Sequence, residues 1–246
     1  VITPRRATRA AGKWMSRAVL AVRATAGSPR SHACPACGTA IVGFFRYGAN
    51  PSWGCPACGA SPRQRLVCWL IDNDVLTVPN EARVLHIAPS EQGLVQRFQA
   101  RATDYVPADL HPEVYALPGV VKLDLMQLAD RDRFDIIYAS HVMEHVADDA
   151  HVLANLHAAL KPGGEAWLIV PLWDRPTEDG SYAMPARERE RRFGQWDHVR
   201  QYGMDFADRI AAVGFDVALI DAKPIDAQTG GRHALDDVVF RARKPR

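Results

Sequence analysis

The sequence predicts an α/β protein: a mostly parallel sheet with helices on both faces, preceded by a small cysteine-built module. Three observations carry this. Four of the five cysteines fall in two copies of Cys-Pro-Ala-Cys-Gly. From residue 82 onward, short apolar runs alternate with helical stretches, the pattern of a parallel sheet. The chain has 246 residues, 48% of them hydrophobic and 24% charged, enough for one large core and a small accessory module.

The chain opens on a basic segment. Residues 1–30 hold Arg5, Arg6, Arg9, Lys13, Arg17, Arg23 and Arg30 with no acidic residue, so this segment is +7 in a chain of net +2. Three readings fit it: a basic amphipathic helix on a membrane or nucleic acid, an Arg-rich presequence, or a mobile arm in an Ala/Arg-biased chain. The bias recurs in "ARERERR" and "FRARKPR", which favours the arm. No stretch approaches the ~18 apolar residues of a membrane span. The roughly 7–15-residue apolar centre of a secretory signal is also missing, so a cytoplasmic location is expected.

Residues 31–60 hold the cysteine pairs, Cys34/Cys37 and Cys55/Cys58, with 17 residues between them. Two residues between cysteines let both thiolates point at one tetrahedral ion, and the glycine that follows permits the positive φ such a knuckle needs. Two knuckles make a four-cysteine zinc ribbon. A disulfide framework and a redox Cys-x-x-Cys are the competing readings; the chain's size argues against the first and the duplication against the second. Four thiolates fill the coordination shell, so the zinc is expected to be structural. Cys68, in the apolar run "LVCWLI", reads as a buried helix residue.

Residues 61–80 read as a connecting helix, with Ser61 as N-cap and Pro62 at the first helical position. The larger domain then spans 81–246. Its strand candidates are 83–87, 104–108, 119–123, 134–139, 165–170, 215–220 and 237–242. Helices are expected at 91–101, 148–160 and 204–213, with Ser90 and Asp148 as caps and Gly163 or Gly164 stopping the second.

Sheets of this kind bind ligands outside the carboxyl ends of their strands. The first strand ends at "VLHIAPSEQG", where Ala88, Ser90 and Gln92 stand at positions that a glycine-rich cofactor turn would fill, with Gly93 following. Asp109 lies 21 residues after Ala88, at the end of the second strand, where a carboxylate can accept from both hydroxyls of a ribose. Asp124 ends the third strand, and "RFDIIYASHVMEHV" leads out of the fourth.

With these segments in view, residues 82–221 resemble the class I S-adenosylmethionine-dependent methyltransferases. The resemblance is carried by "VLHIAPSEQG", "YVPADL", "VKLDLMQL", "FDIIYASHVMEHV" and "LKPGGEAWLIVP". The CPACG pairs, "SPRQRLVCWLI" and "RRFGQWDHVRQYGMDF" are similar to a bacterial subgroup in which a zinc ribbon precedes the methyltransferase domain. The resemblance implies a seven-stranded sheet whose last strand is antiparallel, and S-adenosylmethionine as cofactor. It implies Asp109, with Leu110 beside it, at the ribose; Asp124 at the adenine amino group with Leu125 beside the ring; and Ser140 and His141 near the methionine part. His86, Ala88, Ser90 and Gly93 complete the expected cofactor set, with His86 where the family usually has an acidic residue.

Methyl transfer from a sulfonium is an in-line displacement that rests largely on positioning, and a base is needed only for an acceptor still protonated at neutral pH. The histidine candidates are His141, His145 and His198, with His145 read as a packed residue. His198, beside Asp197, is the expected base, oriented by a carboxylate. The segment 171–202 is too long for a simple connection, which usually takes about 2–6 residues, and reads as a lid or substrate wall. "ARERERR" within it reads as a solvated helix face. The expected activity is O-methylation of a small molecule, natural product or glycan. Two rivals stand beside it. One is a ribosomal-RNA methyltransferase; against it, the ribbon between its cysteine pairs has one arginine and no lysine. The other is a non-catalytic zinc-ribbon scaffold, against which the retained Asp109 and Asp124 argue.

Overall fold

The computed structural model describes residues 4–246, with side chains from residue 10 onward, so the side chains of Arg5, Arg6 and Arg9 lie outside the described residues. The elements, in chain order, are α1 (Pro4–Thr25), β1 (His32–Ala33), β2 (Ala40–Ile41), β3 (Phe45–Tyr47), β4 (Asn50–Gly54), α2 (Pro62–Asp72), β5 (Ala82–Ile87), α3 (Gln92–Arg101), β6 (Ala102–Asp109) and β7 (Val121–Lys122). There follow β8 (Phe134–Ser140), α4 (Asp149–Ala159), β9 (Leu160–Ile169), β10 (Glu178–Asp179), α5 (Ala186–Phe193), β11 (Arg200–Gln201), α6 (Phe206–Ala212), β12 (Asp216–Asp221), α7 (Ala222–Gln228) and β13 (Val238–Arg243). The chain divides into two compact units: Val1–Thr77 with Glu91–Arg97 and Asp221–Val238, and Val78–Ser90 with Phe98–Ile220 and Val239–Arg246.

In the first unit, hairpins β1–β2 and β3–β4 form the ribbon. Gly38 (φ 71°) and Gly59 (φ 81°) take the left-handed conformation after each knuckle, and their N–H groups donate to Cys34 O and Cys55 O. The N-terminal segment is not a mobile arm here. Leu20 is buried with Val42 and Phe45. Ser16 Oγ accepts from Arg46 N at 2.9 Å, and the Arg17 guanidinium lies over the Phe45 ring. In α2, Gln64 Oε1 accepts the Ser61 N–H, as a capping box requires.

Arg65, on α2, is fully buried. Its guanidinium donates to the carbonyls of Ser52, Trp53, Ala60, His233 and Ala234 and stacks 3.9 Å from the Phe44 ring centre. Five carbonyl acceptors satisfy the whole donor fork, which is how a cation is tolerated without water. Burial still pushes its pKa down to about 10. These bonds explain why residues 221–238 pack with the ribbon's unit.

The second unit holds a seven-stranded sheet in the order β12-β13-β9-β8-β5-β6-β7. β5 pairs parallel with both β6 and β8, and β13 runs antiparallel to β9. Five of the six residues of β5 are buried, as expected of a central strand covered on both faces. The strand order reverses between β5 and β8, and that switch point is where such sheets form a ligand crevice. Tyr138, Trp167, Leu168, Val239 and Phe240 form part of the core; each large apolar side chain buried there contributes about 1.5–3 kcal/mol.

Three local expectations are corrected. Helix α3 starts at Gln92, and the Glu91 carbonyl accepts the first helical N–H groups, so Ser90 is not its cap. The third strand shrinks to the exposed pair Val121–Lys122 at the sheet edge, because Gly119 turns the chain at φ 78°. Helix α4, capped by Asp148 as expected, ends at Ala159 without a glycine. Gly163 (φ 82°) instead forms a bend inside β9, and a Cβ on Gly164 would come within 3.0 Å of the Lys161 and Asp135 carbonyls.

Candidate functional site

The crevice is built from four strand ends of the second unit. At the end of β5, Ala88 N donates to Ala108 O at 2.9 Å and Ser90 N to Ala88 O at 2.7 Å. Ala88 sits at φ 53°, a conformation that favours glycine and is strained for any other residue. The turn has therefore lost the glycine but kept the glycine's backbone. Across the switch point, His141 at the end of β8 has φ 56° and donates its N–H to Ile169 O. Strain of this kind concentrates at functional sites.

At the end of β6, Asp109 accepts from His111 N (2.7 Å, Oδ1) and from the Tyr115 hydroxyl (2.8 Å, Oδ2). Both oxygens are thereby oriented, and each keeps a lone pair for a further donor. Leu110 beside it is 47% exposed. Asp124 caps the short 3-10 turn Leu125–Gln127, accepting from Met126 N at 2.9 Å. Leu123 N bonds Asp109 O and ties the two strand ends together. Leu125 is buried. Ser140 is 7% exposed, and its Oγ has no hydrogen-bond partner among the described residues.

Two expected cofactor residues are engaged with other neighbours. His86 is fully buried in an aromatic cluster, its ring 5.1 Å from Tyr138 and 5.3 Å from Phe98, with Nδ1 2.9 Å from the Tyr105 hydroxyl. Side chains alternate along a strand, and residue 86 points into the core. Gly93 belongs to the other unit, where an added Cβ would lie 2.7 Å from Ala36 O of the first knuckle. Its missing side chain serves the ribbon.

Beyond β8, the segment Met143–His145 forms a 3-10 turn, and the 171–202 segment packs on it. Val199 N donates to Glu144 O at 2.9 Å. Arg200, 4% exposed, donates to the Met143, Val146 and Ala147 carbonyls and pairs with Asp179. The "ARERERR" helix is only partly a solvated face: Arg189 is buried and donates to the Tyr182, Met184 and Trp196 carbonyls, and Arg192 pairs with Glu178. Trp196 is 56% exposed; Trp173 is half-buried, with its indole N–H on Pro176 O.

This packing assembles Glu144, His145 and His198. Their ligand-type atoms all lie within 4.8 Å of one another. Glu144 is fully buried, and neither carboxylate oxygen has a hydrogen-bond partner among the described residues. His198 Nε2 lies 4.0 Å from Glu144 Oε1, and His141 Nδ1 lies 3.3 Å from the same atom. The carboxylate beside His198 is thus Glu144; Asp197 instead faces His145, with Oδ2 3.6 Å from its Nδ1. His198 Nδ1 donates to Phe193 O at 3.0 Å, so Nε2 is the acceptor, and the Gln195 amide lies 2.5 Å from it. Burial lowers the pKa of this imidazole. Glu144 was not singled out in the sequence, although its adjacency to His145 was visible there.

In the first unit, the four ribbon cysteines meet. Cys34 Sγ lies 3.8 Å from Cys58 Sγ, and Cys37 Sγ 3.9 Å from Cys55 Sγ. A tetrahedral ion with bonds of about 2.3 Å puts its sulfurs about 3.8 Å apart, so the set fits zinc and not a disulfide pair. Hydrogen bonds from Cys34 and Cys58 lower the pKa of Cys55, and hydrogen bonding to Cys55 and Cys58 together with burial raises that of Cys34. Cys68 is buried, and its thiol is pushed up to about 12 by desolvation.

A family model for a methyltransferase domain matches residues 49–205. The chain belongs to the methyltransferase-domain family. None of the curated proteins compared with it matches. Among solved structures, its methyltransferase fold is similar to an S-adenosylmethionine-dependent methyltransferase from Mesorhizobium loti (17% identity, TM-score 0.53, 72% of this chain and 97% of that one). It is also similar to a chain of the complex between the Haloferax volcanii Trm112 methyltransferase activator and its methyltransferase (15%, 0.51, 72% and 90%). A third is the Burkholderia thailandensis 1,6-didemethyltoxoflavin-N1-methyltransferase with bound 1,6-didemethyltoxoflavin and S-adenosylhomocysteine (17%, 0.50, 74% and 78%). Among the described residues, no helix of this methyltransferase is long and apolar enough to cross a membrane.

Proposed function

We propose that this S-adenosylmethionine-dependent methyltransferase methylates an oxygen of a small molecule, natural product or glycan. The observation that carries the reading is the placement of Asp109, Asp124, Ser140 and the strained Ala88 turn around the switch point between β5 and β8, with a buried His/Glu cluster beside it.

The residues present fit the cofactor. Asp109 is oriented to accept from ribose hydroxyls. Asp124 offers a carboxylate to the adenine amino group, and the apolar Leu125 supplies the ring's neighbour. The orphan Ser140 Oγ and the turn at Ala88 and Ser90 are polar groups suited to an amino-acid moiety. When bound, S-adenosylmethionine supplies an electrophilic methyl group.

The chain's own residues then position the acceptor and deal with its proton. The 171–202 segment is seated on Met143–His145 by Arg200 and Val199, where it would help to keep water from a bound acceptor. His198 Nε2, now in contact with the Gln195 amide, would offer its lone pair to a proton once that amide swings away. A polar, protonatable cluster is of use chiefly to an acceptor that must lose a proton, which favours oxygen.

In the ribbon, Cys34, Cys37, Cys55 and Cys58 would hold a structural zinc ion. The complete centre, four thiolates and one Zn²⁺ with net charge −2, would find a counter-charge in Arg65, whose charged form the nearby cysteines already favour.

The test is transfer of an isotopically labelled methyl group from S-adenosylmethionine to panels of phenols, sugars and RNA fragments, read by mass spectrometry. Label on a hydroxyl oxygen of a small acceptor supports the reading. Label confined to RNA, or none above the heat-inactivated control, would overturn it.

A further inference from the structure

We propose that Glu144, His145 and His198, with His141 at their edge, form a second metal site, one for a divalent transition-metal cation. The site is separate in composition from the sulfur cluster: two or three imidazoles and a carboxylate, with no thiolate. Such a donor set suits Mn²⁺, Fe²⁺, Co²⁺ or Zn²⁺.

The argument starts from Glu144. Its side chain is fully buried, yet both oxygens lack a hydrogen-bond partner among the described residues. An ionised carboxylate without partners is among the most costly groups to bury. Elsewhere in the same unit the chain satisfies its buried charges thoroughly: Arg200 reaches three carbonyls and two carboxylates, and Tyr202 donates to Asp149. The carboxylate without a hydrogen bond is therefore local to this cluster, where imidazoles are its nearest charged or polar neighbours.

What faces Glu144 is a set of imidazole nitrogens, His141 Nδ1 at 3.3 Å and His198 Nε2 at 4.0 Å. His198 has its Nδ1–H committed to Phe193 O, so its Nε2 presents an acceptor 4.0 Å from Glu144 Oε1. That nitrogen now meets the Gln195 amide, and Glu144 Oε1 has His141 Nδ1 at 3.3 Å; a cation between Glu144 and His198 would replace these contacts with direct bonds. His145 stands edge-on to His198, ring centres 4.7 Å apart. His141 Nε2 is buried with no partner among the described residues. The outer contacts of a metal site are also in place: Phe193 O orients His198, and Asp197 faces Nδ1 of His145.

Distances agree. Two donors on one ion with bonds of about 2.1 Å stand about 3.4 Å apart at the tetrahedral angle and at most about 4.2 Å apart. The three donor atoms lie within 4.8 Å of one another, so each need move only a fraction of an ångström. The group to be displaced is the Gln195 amide, on an exposed residue, which now contacts His198 Nε2 at 2.5 Å. Three protein ligands leave coordination positions open, as in catalytic rather than structural sites. Their use would be to take an oxygen of the methyl acceptor and acidify its hydroxyl; that use rests on the methyl-transfer reading, whereas the binding of the ion does not.

The test uses the zinc-loaded full chain and Mn²⁺ alone, a hard ion that leaves the thiolate site to zinc. Loss of the free-ion electron paramagnetic resonance signal should report one Mn²⁺ bound per chain. Glu144→Gln and His198→Asn should each weaken it by at least the roughly 10–100-fold that even an outer-shell change produces. Calorimetric binding of S-adenosylhomocysteine by the same metal-free variants controls for folding. As a measurement independent of any variant, Co²⁺ added to the zinc-loaded wild type should show ligand-field bands without thiolate charge transfer. No Mn²⁺ or Co²⁺ binding at millimolar ion, or binding unchanged in Glu144→Gln, overturns the site. Ion binding without S-adenosylhomocysteine binding would instead overturn the methyltransferase reading and leave the site standing.

Discussion

His198 Nε2 lies 4.0 Å from Glu144 Oε1, and neither residue is open to solvent. They are far apart in sequence, and the packing of the 171–202 segment on the end of β8 brings them together. His198→Ala should lower turnover by about 10²–10⁴, the range for losing a group that manages the acceptor's proton. S-adenosylhomocysteine affinity, measured by calorimetry, should barely change. Unchanged turnover would leave positioning as the main catalytic device.

Glu144→Gln separates function from stability. A carboxylate kept for folding loses about 3–5 kcal/mol when a buried partner is removed. One kept bare for function should lose little or gain on neutralisation. The metal-free Glu144→Gln chain should therefore melt at or above the wild-type temperature while turnover falls. A large drop in melting temperature with normal turnover would make Glu144 a structural residue.

Ala88→Gly tests the first turn. With Ala88 at φ 53°, glycine removes a strain of about 1 kcal/mol or more. Denaturant melts should show the variant equal to or more stable than wild type, unlike the usual loss when glycine replaces alanine. Ala88→Val should destabilise and weaken S-adenosylhomocysteine binding. A loss of about 1 kcal/mol in Ala88→Gly would show that the strain is not felt.

The ribbon depends on Arg65 as much as on its cysteines. Purified protein should carry close to one zinc per chain at the sulfur site, and Cys58→Ser should lower both zinc content and stability. Arg65→Met should cost about 3–5 kcal/mol, because five carbonyls lose their donor. Elemental analysis and thermal melts check both. Four freely titratable thiols in a folded, metal-free protein would refute the ribbon's role.

The sheet and the cysteine set were legible in the sequence because each rests on a local pattern. Alternating runs mark β5, β6, β8 and β9, and Cys-x-x-Cys spacing does not depend on the rest of the chain. What escaped were relationships between distant side chains. His86 looked like a cofactor residue from its place in the turn, but strand alternation sends it into the core against Phe98 and Tyr138. Gly93 looked like the last glycine of that turn, yet its contact is Ala36 O. Glu144 passed as part of a family segment, since burial without a partner is invisible until the 171–202 segment is folded. The N-terminal helix read as an arm, because only Phe45 and Val42 on the ribbon explain why Leu20 is apolar.

The most direct test of the central claim is calorimetric titration of S-adenosylhomocysteine into wild type and Asp109→Ala under identical conditions. The account predicts a single site in wild type. It predicts that Asp109→Ala, still folded by thermal melt, binds about 1.5–3 kcal/mol more weakly, the range for charge-assisted hydrogen bonds. No binding to wild type at millimolar ligand, or equal affinity in the two proteins, would contradict the cofactor site at the carboxyl ends of β5 and β6.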